Sequence, residues 1–385
     1  MKIGFLAYTT RQLDIYWANL KNIADCWWGV TRPNLYNLLS EIGIKNIVYH
    51  YDEHILNEKI KSGNKFVSLN PGHSEKIIAE KINPDIWIAQ YPNNLSHLTK
   101  KAYWIQVFSS LPLKKYFFHK TLHNYDLLLL PGQYHKNEII KRLNFKDNEG
   151  NRLKIIGWPC TDAFINGTYN KEIIIKKLGL DNTKKTLMYA PTWGAWNNNR
   201  LTYAHDKIFS RWFDNEIEVL KQLCSEVKTL KLNFIIKLHS LSTLYNDYRL
   251  LELVDKYDIL FIANETDRYT EDPYEYLYVT DILISDLSGI ILEFMILDRP
   301  IIYIDPDEKL NVWEGSDMPK SFRAGYVVQT PNELISAIKD SLVFPDRFSD
   351  ERMDISSMLV HGLDGKATDR GVQEIMSFAK NKRLI

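Results

Sequence analysis

Three short stretches of the chain carry residues whose types and spacing suit chemistry on an anionic substrate. The stretch "IIKLHSL" ends an apolar run with Lys237 and His239, a cation and an imidazole delivered together at a strand end. Read alone, that histidine is as easily a packed or surface residue as a catalytic one. The stretch "LISDLSGIILEF" sets a polar knot, Ser285-Asp286-Leu287-Ser288-Gly289, between two apolar runs. Asp286 or Ser288 could simply cap the helix that follows. The same place, a strand's carboxyl end at a helix N-terminus, also favours a phosphate, because free N–H groups and the positive end of the helix dipole point there. Ser285 and Ser288 would add hydroxyl donors, and Gly289 would let the backbone come close. The third stretch, "YAPTWGAW", leaves a strand through Pro191, Thr192 and Trp193, which could floor a base or ring or could pack the turn.

Elements must exist to hold these loops. Short, nearly continuous apolar runs alternate with amphipathic segments along the chain. Strands are expected at 2–8, 46–50, 85–90, 103–108, 126–131 and 153–157, then at 185–190, 233–238, 258–263, 281–285, 300–305 and 325–329. Helices are expected at 33–42, 73–82, 114–123, 132–143, 213–231, 273–279, 289–297 and 331–341. Such alternation argues for parallel sheets covered on both faces. The fold class is therefore α/β, with two doubly wound domains and a cleft between them. Gly, Pro and Asn cluster in "GWPCTDAFINGTYN" and mark the boundary. The expected division is 1–165, 166–365, and a C-terminal helix over 366–385 that packs back on the first domain. Ligands of such sheets sit beyond the carboxyl ends of the strands, which selects the loops after Ala190, Leu238, Ala263 and Ile284. No G-x-G-x-x-G follows the first strand and no Walker A sequence is present.

Composition narrows the class further. The 385 residues are 45% hydrophobic and 25% charged, with 48 Lys+Arg balancing 48 Asp+Glu, which excludes a disordered or low-complexity chain. The charge is unevenly spread: residues 1–165 hold 21 Lys+Arg against 14 Asp+Glu, and the remainder 27 against 34. A basic first half suits an anionic acceptor or a membrane surface, although solvated lysines give the same count. The three cysteines, Cys26, Cys160 and Cys224, have neither disulfide-framework nor zinc spacing and fit a reducing cytoplasm. Met1 runs directly into "KIGFLAY", which reads as a first strand and not as a signal peptide. No apolar run approaches the roughly 20 residues that span a bilayer. The basic, aromatic "KKYFFHK" (114–120) could dock on a bilayer or could be a packed helix start.

Taken together, these loops resemble the CDP-glycerol glycerophosphotransferase family, which builds teichoic-acid-like and capsular polymers. "YWIQVFSSLPLKKY" resembles that family's Q-x-W-H-G-T-P-L-K, and "DLLLLPGQYHKNEI" and "IIGWPCTDAF" resemble its linking segments. "KTLMYAPTW" resembles K-x-I-L-Y-A-P-T-W, and "IIKLHS" resembles the K-x-H-P strand end. "DILISDLSGIILEFMILDRPIIYIDPD" resembles D-x-L-I-T-D-Y-S-S-I-x-x-D-F…K-P-I-I-F-Y-x-x-D, and "GLDGKATDRGVQEI" resembles the closing D-G-x-A-S-x-R. The resemblance implies a GT-B fold, with the donor nucleotide in the C-terminal Rossmann-like domain and the acceptor in the N-terminal one.

It also implies roles. Thr192, Trp193, Lys237, Ser285, Asp286, Ser288, Gly289, Glu293, Asp364 and Gly365 would bind the donor, and His239 would meet its phosphate and stabilise charge as the nucleotide leaves. One position departs from the pattern. The family's second histidine, the general base on the acceptor hydroxyl, is replaced by Ser109, and a serine cannot be that base near neutral pH. Either the base comes from elsewhere, with Asp14, His73 and His119 as candidates, or the acceptor differs, or the chain is silent. The expected activity is transfer of a glycerol phosphate or similar polyol phosphate from a CDP-linked donor onto a surface glycan or teichoic-acid-like acceptor. A nucleotide-sugar glycosyltransferase and a silent nucleotide-binding subunit are the alternatives. No metal or cofactor is expected beyond the nucleotide donor. The expected partners are that donor, a lipid-linked or glycan acceptor and a membrane surface, without nucleic acid. The expected location is cytoplasmic, with a peripheral hold on the inner face of the plasma membrane.

Overall fold

The computed structural model describes residues 1–7, 10, 12–50, 73–90, 101–108, 111, 117–146, 151–191, 196–197, 200–201, 216–238, 248–262, 273–286, 288–305 and 323–385. The chain divides into two compact units. The first is Met1–Ile165 with Met358–Ile385, and the second is Asn166–Ser357. Residues 358–365, expected in the second domain, thus belong to the first. Two left-handed glycines, Gly362 and Gly365, at φ 57 and 72, shape the turns that lead into the last helix.

The first unit is built on β1 (Lys2–Ala7), β2 (Asp25–Val30), β3 (Ile47–Tyr49), β4 (Ile86–Ala89), β5 (Tyr103–Gln106), β6 (Leu127–Leu130) and β7 (Leu153–Ile155), with α1 (Leu13–Leu20), α2 (Pro33–Glu41), α3 (His73–Ile82), α4 (Gln133–Leu143) and the one-turn α5 (Asp162–Ile165). The sheet order is β3-β2-β1-β4-β5-β6-β7 and each pairing is parallel. Buried runs such as "IWIA" in β4 and "LLLL" in β6 are covered on both faces, as parallel strands require. Gly4 in the central strand makes room for a large neighbour: a Cβ there would lie 2.5 Å from the Trp87 ring. That ring stacks on Trp104 at 5.7 Å.

The second unit contains α6 (Lys171–Lys177), β8 (Thr186–Tyr189), a two-residue antiparallel pair β9 (Trp196–Asn197) and β10 (Arg200–Leu201), α7 (Glu216–Thr229), β11 (Asn233–Lys237), α8 (Tyr248–Tyr257), β12 (Leu260–Ile262), α9 (Pro273–Val279), β13 (Ile282–Ser285), α10 (Ile290–Met295), β14 (Ile301–Ile304), β15 (Tyr326–Val328) and α11 (Pro331–Val343). Its sheet runs β12-β11-β8-β13-β14-β15, again parallel. Thr330 caps α11 by accepting from the Glu333 amide, and Glu333 reaches back to the Gln329 amide, a capping-box variant that fixes where the helix starts. α12 (Ser349–Leu359) and α13 (Ala367–Asn381) complete the chain.

Both sheets have doubly wound order, reversing direction between β1 and β4 in the first unit and between β8 and β13 in the second. The reversal opens a crevice at the carboxyl ends of those strands.

One expectation is corrected here. The helix expected over 114–123 is, in its described part, a short 3-10 turn at Lys120–Asn124 capped by the His119 side chain. Phe117 is buried and meets Phe108 edge-on at 5.9 Å, while His119 and Lys120 of "KKYFFHK" are exposed. Its earlier residues lie outside the described ones.

Candidate functional site

The second unit's crevice is laid out by strand register. Ile236 and Ile284 both stand level with Tyr189 on β8. The next residues are Lys237, Ala190 and Ser285, so three adjacent strands deliver one row at the carboxyl edge. Adjacent strands are about 4.8 Å apart, which places Lys237 and Ser285 across roughly 10 Å. That width admits the phosphates of a nucleotide.

Ser285 is fully buried, and its hydroxyl donates to the Ala190 carbonyl at 2.6 Å. Its proton is therefore spent. The expectation of a phosphate donor at Ser285 is corrected: this side chain ties together the two loops that flank the crevice. Lys237 is half-buried, and its ammonium lies 5.8 Å from the centre of the Tyr276 ring, within cation–π range. Tyr276, on α9, went unread in the sequence, because nothing in "PYEYLYV" separates one tyrosine from the others.

Beyond Ser285 the chain passes through Asp286 to Ser288 and Gly289. Gly289 stands at the N-cap of α10 with φ −59 and ψ −22 and, as a glycine, offers no side chain to cap the helix. The amides of Ile291 and Leu292 donate to the carbonyls of Ser288 and Gly289 at 3.2 Å, so the amides that an anion could meet are those ahead of Ile291. α10 has only six residues, so the amides themselves, more than a helix dipole, make the case. A Cβ placed on Gly289 would meet no atom within 4 Å; the space in front of it is open. Glu293, on α10, is 1% exposed. Asp305, immediately after β14, is also nearly buried. Thr192, Trp193 and His239 lie outside the described residues.

The remaining expected donor residues sit elsewhere. Asp364 and Gly365 belong to the first unit. Arg370 binds both carboxylate oxygens of Asp364 at 2.9 and 3.0 Å. That hydrogen bond holds the Asp364 carboxyl below the usual carboxylate range, with slight burial opposing it. The same guanidinium donates to the carbonyls of Ile156 and Gly362. Asp162 accepts from the amides of Ala367 and Thr368 at the start of α13. The closing "DGKATDR" is therefore a clasp that fastens the tail to the first unit.

On the acceptor side, Ser109 lies outside the described residues. Asp14 is exposed in the first turn of α1, where it accepts from the Ile15 amide at 2.9 Å. His119 is committed to Thr121, through its amide at 3.3 Å and its hydroxyl at 2.9 Å. His73 begins α3, and its side chain lies outside the described residues. Gln106, at the end of β5, is fully buried and donates to the carbonyls of Gln90 and Val107, joining the ends of β4 and β5. Among the described residues no group of three His, Cys, Asp or Glu side chains could hold a metal ion. No helix among them is long and apolar enough to cross a membrane.

Two parallel doubly wound sheets, with a polar turn at the reversal point of the second, define a GT-B protein. Solved structures agree on the fold. The wall teichoic acid polymerase TagF, in a variant soaked with CDPG, superposes with TM-score 0.69 at 18% identity over 99% of this chain and 89% of that one. A UDP-GlcNAc 2-epimerase from Neisseria meningitidis does so with TM-score 0.59 at 14% identity over 98% of this chain and 100% of that one. The family model for CDP-Glycerol:Poly(glycerophosphate) glycerophosphotransferase matches residues 69–377, and the chain belongs to that family. Among its relatives, the teichoic acid poly(glycerol phosphate) polymerase of Bacillus subtilis (strain 168) is 29% identical over 58% of this chain and 28% of that protein. The teichoic acid glycerol-phosphate transferase of Staphylococcus aureus (strain NCTC 8325 / PS 47) is 25% identical over 67% of this chain and 62% of that protein. These matches take in less than two thirds of the relatives' own length.

Proposed function

We propose that this chain transfers a glycerol phosphate, or a similar polyol phosphate, from a CDP-linked donor to a teichoic-acid-like or surface-glycan acceptor. The single observation that carries the reading is the row Lys237–Ala190–Ser285, followed by the turn at Ser288 and Gly289 that opens α10. Lys237 and the amides after Gly289 hold the donor's phosphates, and His239 meets the leaving nucleotide. Charge grows on that phosphate during transfer, so donors already in place lower the barrier. The acceptor hydroxyl is bound by the first unit. No metal or further cofactor takes part in this reading. The protein works at the inner face of the plasma membrane, held peripherally by its acceptor and by basic surface.

The test is incubation with radiolabelled CDP-glycerol, CDP-ribitol and UDP-sugars, scored for transfer and hydrolysis, beside the melting shift each nucleotide gives. Transfer from a CDP-polyol with a CMP or CDP melting shift supports the proposal. Transfer only from a UDP-sugar replaces it with glycosyl transfer. Binding without either reaction replaces it with a silent nucleotide-binding subunit.

A further inference from the structure

We infer that His361 is the general base on the acceptor side, filling the role that Ser109 cannot; the inference rests on glycerol phosphate transfer as proposed above. His361 belongs to the returning tail, and the first unit is shaped to hold that tail on the carboxyl ends of β6 and β7. The His361 amide donates to the carbonyl of Pro131, the residue after β6, at 2.8 Å. Its own carbonyl accepts from Arg370 at 3.4 Å.

Two strand-end glycines make this approach possible. A Cβ on Gly132 would collide with the Leu359 carbonyl. A Cβ on Gly157, at φ +93, would lie 2.6 Å from the His361 carbonyl. The backbone on either side of His361 is therefore pinned while its side chain is exposed. Among the described residues its ring has no hydrogen-bond partner. A fixed backbone with an open imidazole is what a general base requires: a positioned group, free to meet a hydroxyl.

Its anchor lies on the strand next to β5. β5 pairs with β6, with Gln106 level with Leu128. Two residues on, Phe108 leads into the F-S-S-L-P segment that carries Ser109, and Leu130 leads to Pro131, the anchor of His361. The other described histidines are committed or distant. His50 bonds Ser74 at the end of β3, on the opposite edge of the sheet. His119 caps the 3-10 turn. His123 bonds the Leu143 carbonyl and stacks on Phe145. His135 has no exposed surface. Among the described residues, the charged groups that hold the turn and helix following His361 are Arg370 and Asp364, which pair with each other, and Asp162, which holds the amides of Ala367 and Thr368.

In the step itself, a ring nitrogen takes the proton of the acceptor hydroxyl as that oxygen attacks the phosphorus bearing glycerol. The bond from that phosphorus to the oxygen of CMP breaks, and its electron pair leaves with CMP. The proton remains on the imidazolium until solvent removes it. Imidazole suits the task because its ordinary titration range adjoins neutral pH.

The experiment measures kcat for transfer from CDP-glycerol against pH, in the wild type, His361→Gln and His361→Ala, with the melting shift caused by CDP-glycerol as the folding and donor-binding control. His361→Gln is expected to lower kcat by about 100-fold or more, to abolish the low-pH limb of the profile, and to keep the melting shift. Added imidazole is expected to restore part of the turnover of His361→Ala. A His361→Gln protein within roughly threefold of wild-type kcat, with the same pH profile, overturns the assignment. So does a variant that loses the donor melting shift along with activity, since the residue then supports the fold or the donor. A wild type that binds CDP-glycerol and transfers nothing overturns the proposed function, and this assignment with it; a wild type that transfers while His361→Gln transfers as well overturns this assignment alone.

Discussion

His135 gives the sharpest pH test of the first unit. It sits on α4, fully buried, with no hydrogen-bond partner for either ring nitrogen, and burial pushes it down to about 3 while the backbone of Leu359 opposes the shift. The imidazole is thus neutral in the folded chain and takes up a proton on unfolding once the pH falls below the ordinary value of about 6.5. Its contribution to stability is full above that value and is lost as pH falls toward about 3, since a lowered histidine favours the less protonated, folded form. At pH 5 the unfolded state gains about 2 kcal/mol by protonation, against almost nothing at pH 7.5. His135→Leu removes this term and also removes a buried polar group without a partner, so at pH 7.5 it should leave stability unchanged or raise it by about 1 kcal/mol. Urea melts of both proteins at the two pH values, with hydrogen exchange over residues 133–143 to locate the transition, read the effect. The wild type should lose about 2 kcal/mol more than the variant between pH 7.5 and 5. Equal losses in the two proteins would refute the reasoning and would mean that the imidazole is already charged, or reached by water, in the folded state.

Four further outcomes are expected from the second unit. Gly289→Ala should leave the urea midpoint unchanged or slightly higher, because φ is helical and the added Cβ meets no protein atom within 4 Å, yet it should weaken CDP-donor binding in a calorimetric titration; unchanged affinity would remove the phosphate from this turn. Ser288→Ala should cost about 1–3 kcal/mol of donor affinity with little change in stability. Ser285→Ala should do the reverse, costing about 1–3 kcal/mol of stability because the Ala190 carbonyl loses its buried donor. Asp298→Asn should cost about 3 kcal/mol in urea melts, because the Arg352 side chain is 1% exposed and Asp298 is its carboxylate partner at 2.8 Å.

The parallel strands of the second unit were legible because they announce themselves: "TLMY", "NFIIK", "ILIS" and "IIYI" are short apolar runs, and all but the last residue of "NFIIK" are buried. β2 was not legible. Its sequence "DCWWGV" opens on an exposed acid and contains Gly29, where a Cβ would lie 2.5 Å from Ile78 of α3; close packing of a helix on the strand imposed a glycine that reads as a turn. α1 escaped for a related reason. Its N-cap, Gln12, has φ 62 and makes no capping hydrogen bond, so the usual start signal is missing. At the site, Lys237, Ser288 and Gly289 were visible because strand-end loops carry function in such folds. The duty of Ser285 was hidden, since its partner Ala190 is 95 residues away. The same holds for Arg370, whose bond to Ile156 spans 214 residues. A motif can show which residues matter, but only the fold shows whether a conspicuous side chain meets the substrate or another loop.

That distinction bears most on the tail. The "DGKATDR" sequence looks like part of a donor site because it closes a family pattern, yet each strong bond it makes is to the first unit: Asp364 to Arg370, Arg370 to Ile156, and Asp162 to the start of α13. Gly371 presses on Tyr16 of α1, where a Cβ would lie 2.6 Å from the tyrosine oxygen. The row Lys237–Ala190–Ser285, by contrast, is set by the register of β11, β8 and β13 within the second unit. The two strand edges are thus built by different means, one by a sheet alone and the other by a sheet joined by the chain's return. On the proposed function, a change in the tail, remote in sequence from Ser109, is expected to act on the acceptor side before the donor.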